Sequence, residues 1–242
     1  MLSVAFSSDG AKVVTATRDR TARVWDARTG RLVSTLSPQR RFKRKRWTYV
    51  PYPDAQFNPR GDRVMMLGLD GAMRLWDSDG RLLTEVRGRG RDLINHATFS
   101  PDGRRIAAGS DDRMVHVYDG RTGAPMTTLC CAGEVVQANF SPDGRMVVGA
   151  GSNGRARVWH VESRGQLAIL GRRSFSQTAS GQFLPDGRRI LMTLDDGTVQ
   201  ISTCATCGSA SALNVLAGER VGRSLTPRER RLYLHETAQA AG

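Results

Sequence analysis

The chain has 242 residues, 39% of them hydrophobic, and a net charge of +13, with 36 Lys and Arg against 23 Asp and Glu. That length suits one all-β domain or two small ones; no stretch approaches the ~20 apolar residues of a membrane-spanning helix, and four cysteines do not make a disulfide-stapled secreted scaffold. Lysine occurs only at Lys12, Lys43 and Lys45, so the excess charge is arginine, most of it dispersed as a solvated surface. Residues Met1 to Ser8 lack the charged region and apolar core of a signal peptide, which leads to the expectation of a cytoplasmic protein.

A tight turn recurs five times: Ser7 to Gly10, Asn58 to Gly61, Ser100 to Gly103, Ser141 to Gly144 and Leu184 to Gly187. Most copies read Pro-Asp-Gly after the first residue, and each follows an aromatic: Phe6, Phe57, Phe99, Phe140 and Phe183. Proline presets φ at the second position of a type I turn, Asp suits the third, and Gly accepts the positive φ that follows. Flanked by alternating apolar residues, such a turn marks a β-hairpin. Five at a near-constant period mark a repeat architecture.

The first unit carries strands at Val4 to Phe6, Lys12 to Thr17, Ala22 to Trp25 and Arg31 to Leu36. The second runs through Ala55 to Phe57, Arg63 to Leu67, Ala72 to Trp76 and Arg81 to Val86, and the third through Asn95 to Phe99, Arg105 to Gly109, Met114 to Tyr118 and Pro125 to Leu129. The fourth takes Val135 to Phe140, Arg145 to Ala150, Ala156 to Trp159 and Gln166 to Leu170; the fifth takes Thr178 to Phe183, Arg189 to Thr193 and Thr198 to Ile201, with no fourth strand. Four short antiparallel strands in roughly 40–45 residues make a propeller blade. The expected layout is units at about 1–38, 53–87, 93–130, 134–171 and 177–202, a basic insertion at 39–52, and a distinct segment over 203–242.

An acidic or amide residue lies six positions before an aromatic in four units: Asp19 and Trp25, Asp70 and Trp76, Asp112 and Tyr118, Asn153 and Trp159. With Val24-Trp25-Asp26, Leu75-Trp76-Asp77, Val117-Tyr118-Asp119 and Val158-Trp159-His160, this spacing resembles the WD-repeat β-propeller family. The resemblance implies that the turn acid accepts hydrogen bonds within its blade and fixes the turn between the second and third strands. It also implies a closed disc in which the last blade is completed by an N-terminal strand. Two departures stand out. The place of the family's blade histidine holds Thr48, Gly90, Cys131 and Ser174, and Ser202 stands where the fifth aromatic belongs. The fifth unit lacks its closing strand and the chain starts on the first strand of unit one, so the expectation is a piece of a larger propeller.

After Cys204-x-x-Cys207 the period changes. Leu213, Leu216 and Ala217 suit a short helix, and Thr226-Pro227-Arg228-Glu229 has the cap, the N1 proline and the later Glu of a helix start. This tail, with Leu225 to Leu234, resembles the C-terminal end of bacterial STAND-class signalling NTPases that carry WD-repeat propellers. In that group an effector region and a nucleotide-binding switch precede the propeller.

Candidate chemistry is sparse. Cys204 and Cys207 have half a zinc site's spacing without a second ligand pair, so they read as structural, packing the last strand to the tail. Gly88-Arg89-Gly90-Arg91 lacks the lysine and helix of a phosphate loop, no Gly-x-Ser-x-Gly elbow occurs, and His96, His116, His160 and His235 are isolated from one another. The one dense charge cluster is Arg40, Arg41, Lys43, Arg44, Lys45 and Arg46 with Phe42 and Trp47, followed by Tyr49 and Tyr52. It suits either a solvated loop or an anionic-polymer contact. In propellers this connection lies on the face of the acidic turns. The expected protein is therefore an all-β WD-repeat propeller with a short helical tail, not an enzyme, needing no cofactor or metal, that binds protein partners. Nucleic-acid or anionic-surface binding through residues 40–47 is the alternative.

Overall fold

The computed structural model describes residues 3–17, 21–37, 54–68, 70–88, 93–130, 133–171 and 178–207. Asp19, the basic insertion, the residues at the four histidine places and the tail beyond residue 207 lie outside the described residues. Nineteen strands form five antiparallel meanders. The first sheet holds β1 (Ser3–Phe6), β2 (Lys12–Ala16), β3 (Ala22–Asp26) and β4 (Leu32–Leu36). The second holds β5 (Asp54–Phe57), β6 (Arg63–Leu67), β7 (Ala72–Asp77) and β8 (Leu82–Arg87). The third holds β9 (Ile94–Phe99), β10 (Arg105–Ser110), β11 (Met114–Asp119) and β12 (Pro125–Cys130). The fourth holds β13 (Val135–Phe140), β14 (Met146–Gly151), β15 (Ala156–His160) and β16 (Gln166–Leu170). The fifth has three described strands, β17 (Thr178–Phe183), β18 (Arg189–Leu194) and β19 (Val199–Thr203). The propeller blades expected from the turn spacing are present, with strand ends shifted by a residue or two.

The turns behave as their residues dictate. Each closes with a backbone bond from its glycine N–H to the first residue's carbonyl, 2.8–2.9 Å, as in Gly10 to Ser7 and Gly103 to Ser100. The five turn glycines have φ between 66° and 72°, where a side chain would be strained. The first residue does more than its composition suggests. Ser100 Oγ accepts from the Arg105 amide at 2.9 Å and donates to Asp102 at 2.6 Å, and Ser7 and Ser141 repeat this arrangement. Asn58 substitutes by accepting the amides of Asp62 and Arg63. Leu184 cannot, and there Asp186 accepts the amides of Arg189 and Arg188, which, with the Arg189 guanidinium added, hold its carboxyl down to about 2.

The cores lie between sheets. One cluster joins Val14, Val24 and Leu36 to Val64, Met66 and Trp76; the next joins Met65, Met73 and Leu75 to Ile106, Ala108 and Tyr118. A third joins Val115, Val117 and Leu129 to Val147 and Trp159, and a fourth joins Val148 and Val158 to Ile190 and Met192. The second strands of the second and fourth sheets are covered on both faces, so Val64 to Leu67 and Met146 to Gly151 are buried without interruption. Outer strands alternate, as in β8. Trp76, Tyr118 and Trp159 pack against the sheet before their own, and in all four complete sheets a register shift on the fourth-strand side falls immediately before the repeat aromatic. Ser202 occupies the same register opposite Ile190 that Trp159 occupies opposite Val147.

The cysteine reading gains a bond. Cys204 and Cys207 pack in the fourth cluster and are joined by a disulfide, their Cα atoms 5.1 Å apart across a turn. The Cys204 amide bonds to the Arg188 carbonyl, as Val161 does to Arg145 one sheet earlier.

Trp159 is 1% exposed between the third and fourth sheets. Trp159→Ala should cost about 3–5 kcal/mol, read as a lower denaturant midpoint; Trp25→Ala, at a position only partly buried, should cost clearly less.

Candidate interaction faces

In a meander blade, turns between strands one and two and between three and four share one face. Turns between strands two and three lie on the other. On that second face the expected turn acids cap their own turns: Asp70 accepts from the Ala72 amide, Asp112 from Met114 and Asp196 from Thr198. Asp70 and Asp112 also reach four residues ahead onto the third strand. Asp70 takes two bonds from the Arg74 guanidinium, 3.0 and 2.6 Å, while Arg74 Nε donates to Glu85 at 2.8 Å. Arg87 closes the cluster by bridging Glu85 and Asp70. Arg74 is 1% exposed, so this is a buried charge network. Burial opposes ionisation of Asp70, but Arg74 prevails and holds its carboxyl below the usual range. In the third sheet Asp112 meets the His116 ring at 2.7 Å, and Thr128 meets its other nitrogen.

The aromatics vary in how their polar atoms are treated. Trp25 Nε1 donates to Thr15 at 3.0 Å. The same register holds Met66 under Trp76, whose Nε1 is buried without a partner. Under Trp159 it holds Gly149, where a Cβ would approach the indole to 2.9 Å. Asn153, the amide variant of the turn acid, has a buried Oδ1 without a partner among the described residues. Trp76, Tyr118 and Trp159 are buried, so the structure places the repeat residues as blade-holding groups rather than surface contacts. It does not bring them together into one site.

A set of residues missed in the sequence lines the inner strands. Gln56 Nε2 donates to the Ala97 carbonyl of the next sheet at 2.9 Å, and Asn139 Nδ2 to Gly181 at 2.7 Å. In the other direction Ser3 accepts from the Ala55 amide, His96 Nδ1 from Ala138 and Gln137 from Gly181. Donors sit one residue before the repeat phenylalanine, acceptors three before it, and both address the small residue two before the next phenylalanine. That spacing of polar, small, polar ahead of an aromatic was the available signal. Where the inner strands end, Phe6, Phe57, Phe99 and Phe140 surround a cavity of about 300 Å³ that Gln56 and Asn139 also line. Among the described residues no cluster of His, Cys, Asp and Glu could hold a metal ion.

Two measurements test these assignments. Arg74→Met leaves the part-buried Asp70 and Glu85 with Arg87 as their remaining partner, and should cost about 1–3 kcal/mol. Replacing all three by apolar residues of similar volume should recover most of that in the same melting assay. His96 is held below its ordinary value by burial, against the weaker pull of Asp54. A depressed folded value means that the unfolded chain, titrating near about 6.5, takes up its proton first. Stability from this site is therefore complete above that pH and declines as pH falls from it toward the lower folded value. Urea midpoints from pH 8 to 5 should fall with a slope no steeper than one proton, and His96→Gln should remove that component.

The sequence pattern described as "WD domain, G-beta repeat" matches residues 1–26, 80–119 and 123–160. The same sheet architecture extends to the second sheet, most of which lies outside those segments. Among known proteins, the chain is 28% identical over 165 residues to autophagy-related protein 16 of Arabidopsis thaliana, covering 65% of this chain and 30% of that protein. It is 27% identical over 172 residues to WD repeat-containing protein SL1-17 of Schistosoma mansoni, covering 70% and 53%. It is 28% identical over 159 residues to a guanine nucleotide-binding protein subunit beta of Zea mays, covering 61% and 40%. The chain thus spans between 30% and 53% of the length of these relatives. In its matched repeats and its four-stranded meanders the chain is similar to WD-repeat proteins.

Proposed function

We propose that this chain is a non-catalytic protein-interaction or sensing module, the C-terminal propeller portion of a larger bacterial signalling protein. The observation that carries the first part is where the repeat's polar groups go. Turn acids bond within their own blades, as Asp70 does to Arg74, and inner-strand amides bond to the next blade, as Asn139 does to Gly181. Chemistry-bearing side chains are thus consumed in holding a rigid scaffold, and the turns and loops on its two faces are what it offers to other molecules. Relatives carrying the same repeats include one whose name makes it a subunit of an assembly, the guanine nucleotide-binding protein beta chain.

The bacterial signalling assignment rests on the tail alone. Cys204-x-x-Cys207 followed by Leu225 to Leu234 resembles the end of STAND-class NTPases, whereas the relatives above are eukaryotic and share only repeats. On this reading nucleotide chemistry belongs to a preceding segment, the propeller senses a partner, and the protein works in the cytoplasm. The second reading, binding of nucleic acid or an anionic surface, is supported by Arg40, Arg41, Lys43, Arg44, Lys45, Arg46 and Trp47 falling in one short interval.

The coding sequence upstream of Met1 is expected to continue in frame into a nucleotide-binding segment; a stop codon and promoter there overturn the signalling assignment. A partner cross-linked to the full chain in its host should rebind the purified chain with defined stoichiometry. Binding of mixed-sequence DNA that weakens steeply with salt and disappears when Arg40 to Arg46 are neutralised would instead establish the second reading.

A further inference from the structure

On the face bearing the Ser-Pro-Asp-Gly turns, a groove of about 600 Å³ runs between the second and third sheets. One wall is the first hairpin of the second sheet, with Arg60 and Arg63; the other is the third sheet, with Arg104, Arg105 and Arg121. Its two acidic groups are already committed. Asp119 accepts the amides of Arg121 and Thr122 and the Thr122 hydroxyl. Asp62 accepts from Asn58 and pairs with Arg63. Arg105 is drawn toward Glu162. Arg60, Arg104 and Arg121 are exposed and make no side-chain hydrogen bond or close ion pair among the described residues, although Arg104 lies in the field of Asp102 and Arg121 in that of Asp119. Arg63 Nε adds a buried donor that no acceptor meets among the described residues. Arginines without such bonds occur elsewhere on the surface, but here three converge on one concavity beside an unsatisfied donor.

We infer that this groove is a docking site for an acidic peptide segment of a partner protein, one carrying an apolar side chain beside its carboxylates. The inference rests on the interaction-module reading and names a site and partner chemistry for it. Charge complementarity supplies the first half: planar guanidiniums match carboxylates in two-bond geometry. Met126 supplies the second, standing 49% exposed at the groove and offering an apolar contact that inorganic phosphate has no use for. A single nucleic-acid strand fits less well, because no aromatic side chain lines the groove to stack a base. The volume suits a few peptide residues.

The probe is a fluorescein-labelled pentapeptide, Glu-Glu-Leu-Glu-Glu, titrated with the full chain and followed by anisotropy. A second peptide has Gly in place of Leu, and a labelled oligothymidylate serves as the polyanion comparison. Combined Arg60→Glu, Arg104→Glu and Arg121→Glu should weaken the Leu peptide at least about tenfold. Arg28→Glu, on the same face of the first sheet, should change it less than about twofold. Met126→Ala should weaken the Leu peptide but not the Gly peptide. All variants lie on the surface, and an unchanged melting midpoint confirms that each folds. Equal loss from Arg28→Glu, indifference to the triple change, absence of peptide binding, or a tighter oligothymidylate complex lost in the triple variant would each overturn the proposal. If a cross-linked partner binds the triple variant as well as the parent, the groove assignment fails while the interaction-module reading stands; if no protein partner binds either, both fail.

Discussion

No sheet in this protein can bury itself. A four-stranded meander has two faces, and the second strands of the second, third and fourth sheets are buried nearly throughout, so these sheets depend on neighbours on both sides. Everything else follows from that requirement. Trp76, Tyr118 and Trp159 pack against the preceding sheet, small residues let inner strands approach, and the four cores are shared property of adjacent sheets. The tight turns are what allow strands of four to six residues to stack in register.

The blade interior shows how one geometric position accepts different chemistry. The third-strand site four residues after the turn acid holds Arg74 in one sheet and His116 in another, and both engage their acid. Opposite them on the fourth strand stand Glu85 and Thr128, whose charge and hydroxyl suit those partners. The histidine-based link expected from the family is thus replaced in these two sheets by a link along the strand itself. Buried ion pairs of this kind add less stability than their geometry suggests, since both partners must be desolvated; they do specify which residues face each other.

Much of this could be read from residues. Gly10, Gly61, Gly103, Gly144 and Gly187 announced five hairpins because only a positive φ closes such turns, and the structure gives each of them that conformation. The aromatic six residues after the acid set the register, and that register holds even for Ser202. Less legible were the contacts between sheets. Gln56, His96, Gln137 and Asn139 look like ordinary strand residues, because their partners are backbone groups some 40 residues away and only their spacing ahead of the repeat phenylalanine sets them apart. The arginine groove was equally hidden. Its walls come from separate hairpins, and its members matched the surrounding surface until folding placed them together.

The clamps between inner strands are unequal along the row. Gly181 is held at both its N–H and its C=O by the fourth sheet, while Ala55 is held by the first sheet at its N–H and Ala97 by the second at its C=O. A repeat array whose interfaces differ in this way is not one cooperative block but a chain of couplings of graded strength. The scaffold therefore carries its own order of loosening, written in which side chains cross from one strand to the next.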